Sequence, residues 1–180
     1  MATAKKTTKS AAPKAPEMGV KAAAKAKVVE ALNKARAMEL YAITQYMNQH
    51  YTLDDQDYGA LAKEIKRIAI DEMRHAEDFA ERIKDLGGEP TTLHDGSMVK
   101  GQDVYEIFPF NTAVEDDTIE KYNQFVQICR DCGDQVSANL FERIIDDEQE
   151  HRDSFDDQAT HIEKLGNHYL ARLVASGSAD

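Results

Sequence analysis

Apolar residues return every three or four positions in four long stretches of the chain, the spacing that lines one face of an α-helix. The first stretch covers 26–53, with Val28, Leu32, Ala35, Ile43 and Met47 on one stripe. The second covers 57–86 through Leu61, Ile65, Ile68, Ala76, Phe79, Ile83 and Leu86, and stops at Gly87-Gly88 ahead of Pro90. The third, 111–131, carries Ile119, Tyr122, Val126 and Cys129; the fourth, 134–165, carries Phe141, Ile144, Ile145, Phe155 and Ile162 and ends before Gly166. A short fifth helix is predicted over 168–175. Polar turns at 54–57 and 131–134 close each pair of helices into a hairpin. The 24 residues at 87–110, with Gly96, Gly101 and Pro109, are too many for a hairpin turn and suit a strap running the length of a bundle. The pattern predicts an all-α four-helix bundle with a long crossover and a short C-terminal fifth helix.

Composition narrows this picture. A chain of 180 residues, 42% of them hydrophobic, has enough to bury for one domain and is not disordered throughout. No apolar run approaches the ~18 residues of a membrane span, and the start of the chain lacks the apolar stretch of a secretory signal. With two cysteines and no other staple, a reducing, cytoplasmic setting is expected. The net charge of −11 argues against a general nucleic-acid binder and suits a protein that handles cations. That charge is uneven: residues 1–27 hold seven Lys and one acid. We therefore expect a basic, Ala/Lys-rich disordered tail at 1–25, the helical domain at 26–176 and a few trailing residues at 177–180. The tail is either a solvated spacer lying on its own acidic body or a weak, sequence-independent contact to DNA through residues 1–27.

The informative acids are those inside the apolar stripes. Glu39 falls between Ala35 and Ile43, Glu115 leads toward Ile119 and Tyr122, and Glu72 with His75 and Glu148 with His151 interrupt the second and fourth helices. An unpaired ionised Glu in such a core costs several kcal/mol, so each must be protonated, paired or bound to metal. Spacing selects metal. Glu39 and Glu72 are 33 residues apart, as are Glu115 and Glu148, and the two midpoints fall at the two predicted turns. In antiparallel hairpins such pairs sit level, here ~24 Å above the turn at 1.5 Å per residue. Tyr46 and Tyr122 extend the duplication, each seven residues after its Glu. Four carboxylates and two imidazoles meeting in mid-bundle make the site of a carboxylate-bridged di-iron or di-manganese centre. Six polar residues satisfied by salt bridges alone is the competing account, and it does not explain the symmetry.

Glu39 with Tyr46, DEMRHAE at 71–77, Glu115, and DEQEH at 147–151 resemble the bacterioferritins over roughly 26–175. That resemblance implies a ferritin-like bundle assembled as a 24-mer of dimers, a hollow shell that oxidises Fe(II) with O2 or peroxide and stores ferric mineral. It implies two iron ions per subunit held by Glu39, Glu72, His75, Glu115, Glu148 and His151, with Glu72 and Glu148 bridging and Glu39 and Glu115 terminal. It also implies a ferredoxin as electron donor, and a haem-type iron porphyrin shared by two subunits through one Met from each. Met73 is the matching position; helical geometry turns it off the metal stripe onto an outer flank, beside Ile70. The chain departs from some family members in having Phe79, Ser154 and Arg67 where they have Tyr, Trp and His, and it has no Trp.

Other features carry less. Cys129-x-x-Cys132 lacks the second such motif that a rubredoxin module of a rubrerythrin-like, non-cage di-iron oxidase or peroxidase needs, so two reduced helix-end thiols are expected. A DNA-associated ferritin relative is suggested only by the basic tail. Tyr46 and Tyr122 are expected to hydrogen-bond ligand carboxylates. His50, His94, His161 and His168 have no helical partner at ligand spacing and read as surface residues. Asp71, Asp147 and Glu150 flank the ligands, either as guides for iron or as ordinary solvated acids.

Overall fold

The computed structural model describes residues 15–177, with side chains from 21 to 175; the expected tail at 1–14 and the last residues, 178–180, lie outside the described residues. Five helices follow in order: α1 Ala15–Asp55, α2 Gly59–Asp85, α3 Val104–Asp131, α4 Gln135–Leu165 and α5 Asn167–Gly177. α1 pairs with α2 and α3 with α4, and the two hairpins meet chiefly where α1 lies against α3. No helix among the described residues is long and apolar enough to cross a membrane.

Two boundaries differ from the pattern. Helix α1 starts at Ala15, eleven residues before the predicted 26, because Ala and Lys sustain a helix without any apolar stripe. Helix α3 starts at Val104, not 111. Asp103 accepts hydrogen bonds from the N–H groups of Tyr105 and Glu106, and the Glu106 carboxylate accepts from the Asp103 N–H, a reciprocal cap that outweighs the helix-breaking tendency of Pro109.

The crossover, 86–103, is sewn onto α1. Asn33 bonds to Glu89 and Thr91, the Asp95 N–H donates to the Ala37 carbonyl at 2.9 Å, and Gln45 exchanges two hydrogen bonds with the Val99 backbone. The strap therefore advances in the direction of α1 and delivers α3 antiparallel to it. At the strap's origin Gly88 packs so closely that a Cβ would come within 2.7 Å of Val29 Cγ1 and 2.9 Å of Ile83 Cγ2.

The core is split. One apolar cluster includes Leu32, Phe79, Ile83, Tyr122, Cys129 and Phe141; the other includes Leu53, Leu61, Ile65, Ile107, Phe108 and Phe155. Between them lies a polar waist.

Candidate metal centre

The waist consists of Glu39 from α1, Glu72 and His75 from α2, Glu115 from α3, and Glu148 and His151 from α4, none more than 4% exposed. All six residues that the spacing singled out are brought together. They divide into two groups that share a pair. Ligand atoms of Glu39, Glu72, His75 and Glu148 lie within 4.8 Å of one another, as do those of Glu72, Glu115, Glu148 and His151. Glu72 and Glu148 belong to both.

Each imidazole turns Nδ1 inward. His75 Nδ1 lies 3.0 Å from Glu72 Oε2 and 3.2 Å from Glu148 Oε1, and His151 Nδ1 lies 3.1 Å from Glu148 Oε2 and 3.0 Å from Glu72 Oε1. One Nδ1 proton serves one acceptor well. The longer-range partners approach outside hydrogen-bond geometry, so Glu72 Oε1 and Glu148 Oε1 are the buried side-chain oxygens without a hydrogen bond among the described residues. Orphaned buried carboxylate oxygens are costly unless a cation completes them.

The charges are balanced by protons. Burial, then the nearby Glu148 and Glu72 carboxylates, raise Glu39 well above the ordinary carboxylate range, and burial with the same neighbours does so for Glu115. Burial also opposes ionisation of Glu72, but the adjoining His151 and His75 imidazoles outweigh it and hold that carboxyl at about 2. The same contacts, acting against burial, raise His75 to about 12 and His151 to about 10. The raised Glu39 and Glu115 and the two raised imidazoles can together hold up to four protons, as many charges as two divalent cations would bring.

The surrounding residues orient the set. The Tyr122 hydroxyl donates to Glu39 Oε1 at 2.5 Å, and the Tyr46 hydroxyl donates to Glu115 Oε1. Burial keeps both phenols well above their usual range, so they remain O–H donors. Each tyrosine serves the carboxylate of the opposite hairpin. Outward, His75 Nε2 is hydrogen-bonded to Asp147 Oδ2 at 3.3 Å, the kind of outer support that orients an imidazole whose other nitrogen binds metal, while His151 Nε2 only faces Asp71 Oδ2 at 3.9 Å. A cavity of about 450 Å³ opens from there to the surface between α2 and α4, with Asp71, Asp147 and Glu150 in its wall.

The remaining sequence candidates fall elsewhere. Met73 stands 54% exposed on the outer flank of α2 with Ile70 beside it, away from the waist. Cys129 is buried, which pushes its thiol up to about 12, and Cys132 caps α3; both are free. His94, His161 and His168 are exposed, but His50 is not: it is 8% exposed with Nδ1 2.9 Å from the Ala62 carbonyl, locked between α1 and α2. Phe79 packs its ring against Tyr122 and Phe141, Arg67 pairs with Asp71 at 2.8 Å, and the Ser154 hydroxyl donates to Glu64. Sequence reasoning missed the buried amides Gln45, Gln49 and Asn111, which carry no charge and sit at no metal-ligand spacing.

Residues 29–165 match the ferritin-like domain family. The chain is 59% identical over 155 residues to the bacterioferritin of Desulfovibrio desulfuricans, covering 86% of this chain and 87% of the relative. The X-ray structure of that bacterioferritin, described for its diiron site in different catalytic states, superposes with a TM-score of 0.84 at 59% identity, over 85% of this chain and 90% of the other. Mycobacterium tuberculosis bacterioferritin BfrA superposes with a TM-score of 0.77 at 35% identity, over 81% and 92% of the two chains.

Proposed function

Because the chain belongs to the bacterioferritins, we propose that its waist is a ferroxidase centre that takes two ferrous ions as substrate and passes ferric iron to storage. The observation that carries this is the pair of four-residue groups sharing Glu72 and Glu148, whose orphaned oxygens want a cation. Bound iron supplies the redox chemistry, each ferrous ion giving up one electron to O2 or peroxide.

The protein's own part is to hold and to exchange protons. Glu72 and Glu148 would be shared by both ions, with Glu39 and His75 completing one position and Glu115 and His151 the other. Entry of iron would displace protons held on these imidazoles and on the terminal acids, and the cavity between α2 and α4, walled by Asp71, Asp147 and Glu150 together with Arg67, Arg74 and Arg143, offers ions and protons a path. Tyr122 and Tyr46 keep the terminal carboxylates aimed inward. Apolar layers above and below exclude water from the centre.

A homo-oligomeric cage follows from the family, and we propose the 24-subunit form. We further propose that Met73, exposed beside Ile70 on α2, meets its copy in a second subunit so that two thioethers hold a shared haem-type porphyrin. A ferredoxin-type protein is the proposed electron donor for iron release.

Stopped-flow ferrous oxidation by Glu72→Ala and Glu148→Ala shells tests the centre. Both are expected to lose the rapid phase while eluting as assembled shells. Wild-type rates in either variant would overturn the assignment.

A further inference from the structure

Glu39, Tyr46, Glu72 and His75 recur 76 residues later as Glu115, Tyr122, Glu148 and His151, so the two halves of the centre are near-duplicates. Their flanks are not. One turn beyond Tyr46 and one turn before Glu115, Gln49 and Asn111 face each other across α1 and α3, 1% and 0% exposed. Gln49 Nε2 donates to Asn111 Oδ1 at 2.8 Å and Asn111 Nδ2 donates back to Gln49 Oε1 at 2.9 Å. Gln49 Nε2 also donates to Gln102 Oε1 on the crossover at 2.9 Å, and Gln45, the residue before Tyr46, donates to the same oxygen at 3.1 Å. The positions that duplicate Gln49 and Asn111 are Phe125 and Ala35, both buried and apolar.

We infer that the Gln49–Asn111 pair positions the Tyr46–Glu115 half of the centre, making it a more rigidly preorganised cation pocket than the Tyr122–Glu39 half. This rests on the di-iron reading above. A reciprocal amide pair has one good register, and here it fixes α1 against α3 one turn from the Tyr46–Glu115 hydrogen bond, with the crossover clamped to the same amides. The Phe125 and Ala35 side chains fill space on the other side without a directional contact of their own, and the one polar link there, the Tyr122 hydroxyl on the Ala35 carbonyl, is long at 3.4 Å. A ligand already held in place loses less freedom when a cation arrives, so the better-fixed pocket binds more tightly. The two metal positions should therefore fill in order, the Glu115–His151 side first.

Cobalt(II) binding to assembled shells under anaerobic conditions reads this through its visible bands. In a Glu39→Ala background only the Glu115 half is complete; in a Glu115→Ala background only the Glu39 half is. Adding Asn111→Leu is expected to weaken cobalt binding about 10-fold in the first background, the lower end of what loss of a residue bonded to a ligand costs because Asn111 acts one residue further out, and by less than about twofold in the second. The swapped pair, Gln49→Asn with Asn111→Gln, restores the reciprocal donors and is expected to recover much of the affinity. Should Asn111→Leu fail to assemble, Gln49→Leu with Asn111→Leu leaves no orphaned amide and is expected to show the same one-sided loss. Equal weakening in both backgrounds, or none in either, overturns the inference while leaving the di-iron reading intact. Absence of two cobalt ions per wild-type subunit overturns both.

Discussion

Replacing Tyr122 by Phe removes one oxygen and nothing else from the waist. The hydroxyl lies 2.5 Å from Glu39 Oε1 and 3.4 Å from the Ala35 carbonyl, wholly buried, so no water replaces it. A hydrogen bond to a charged group is worth about 1.5–3 kcal/mol, which at 1.4 kcal/mol per tenfold is about 10–150-fold in the binding constant of the metal pocket that Glu39 completes. The ring stays, wedged edge-on against Phe79 and Phe141, so the fold should hold. Tyr46→Phe makes the matching change at Glu115 and is expected to weaken the other pocket. Anaerobic cobalt(II) titration measures the affinity, and single-turnover ferrous oxidation at saturating iron measures the chemistry. A positioning tyrosine moves the first strongly and the second weakly. Loss of oxidation with cobalt affinity unchanged would refute this reasoning, because it would make the phenol an electron donor.

Three further outcomes are expected. Met73→Leu should abolish the haem Soret band and leave the shell assembled, since the swap nearly conserves volume while deleting the sulfur; a full haem complement would point to another ligand. His75 and His151, held at about 12 and about 10 against the pull of burial, carry protons through the neutral range. Metal binding expels both, and with them whatever protons Glu39 and Glu115 still hold, so the constant for filling both positions should rise with pH by at least about 100-fold per unit between pH 6 and 8; a cobalt titration insensitive to pH would contradict the proton balance. Phe79→Ala empties a site packed between Tyr122 and Phe141 and should destabilise the subunit by about 3–5 kcal/mol in denaturant unfolding; a change below about 1 kcal/mol would mean the neighbours collapse into the gap.

The six waist residues were legible in the sequence because their chemistry contradicts their surroundings: a carboxylate at a core position, repeated at matched heights, leaves few physical explanations. Fold legibility came from the same stripes, and the two misplaced helix starts lie where stripes are weak. Residues 15–25 form helix without a regular apolar stripe, with Pro16 in the first turn and the Ala/Lys run 21–25 after it, and Asp103–Glu106 cap α3 upstream of a proline that reads as a breaker. Partner choice was not legible. Tyr46 follows Glu39 by two turns, about 10 Å along the axis, beyond the reach of a phenol. It serves Glu115 because α3 runs antiparallel to α1, a relation that only the strap establishes. Gln49, Asn111 and His50 stayed hidden for a related reason: a neutral polar side chain at a helical position looks solvated until the element that satisfies it is in place.

The strap and the waist together bear on how the subunit comes together in time. Each hairpin packs mostly within itself and is joined to its neighbour chiefly along α1 and α3, the arrangement in which local hairpins are expected to form before they dock. What they dock across is a layer of four carboxylates. A subunit without metal would close that seam with protons; on the proposed reading, a loaded one would close it with metal held by both hairpins through Glu72 and Glu148. Iron at the waist is then a clasp fastened after folding, and the protein that collects the metal is also one of the things the metal finishes building.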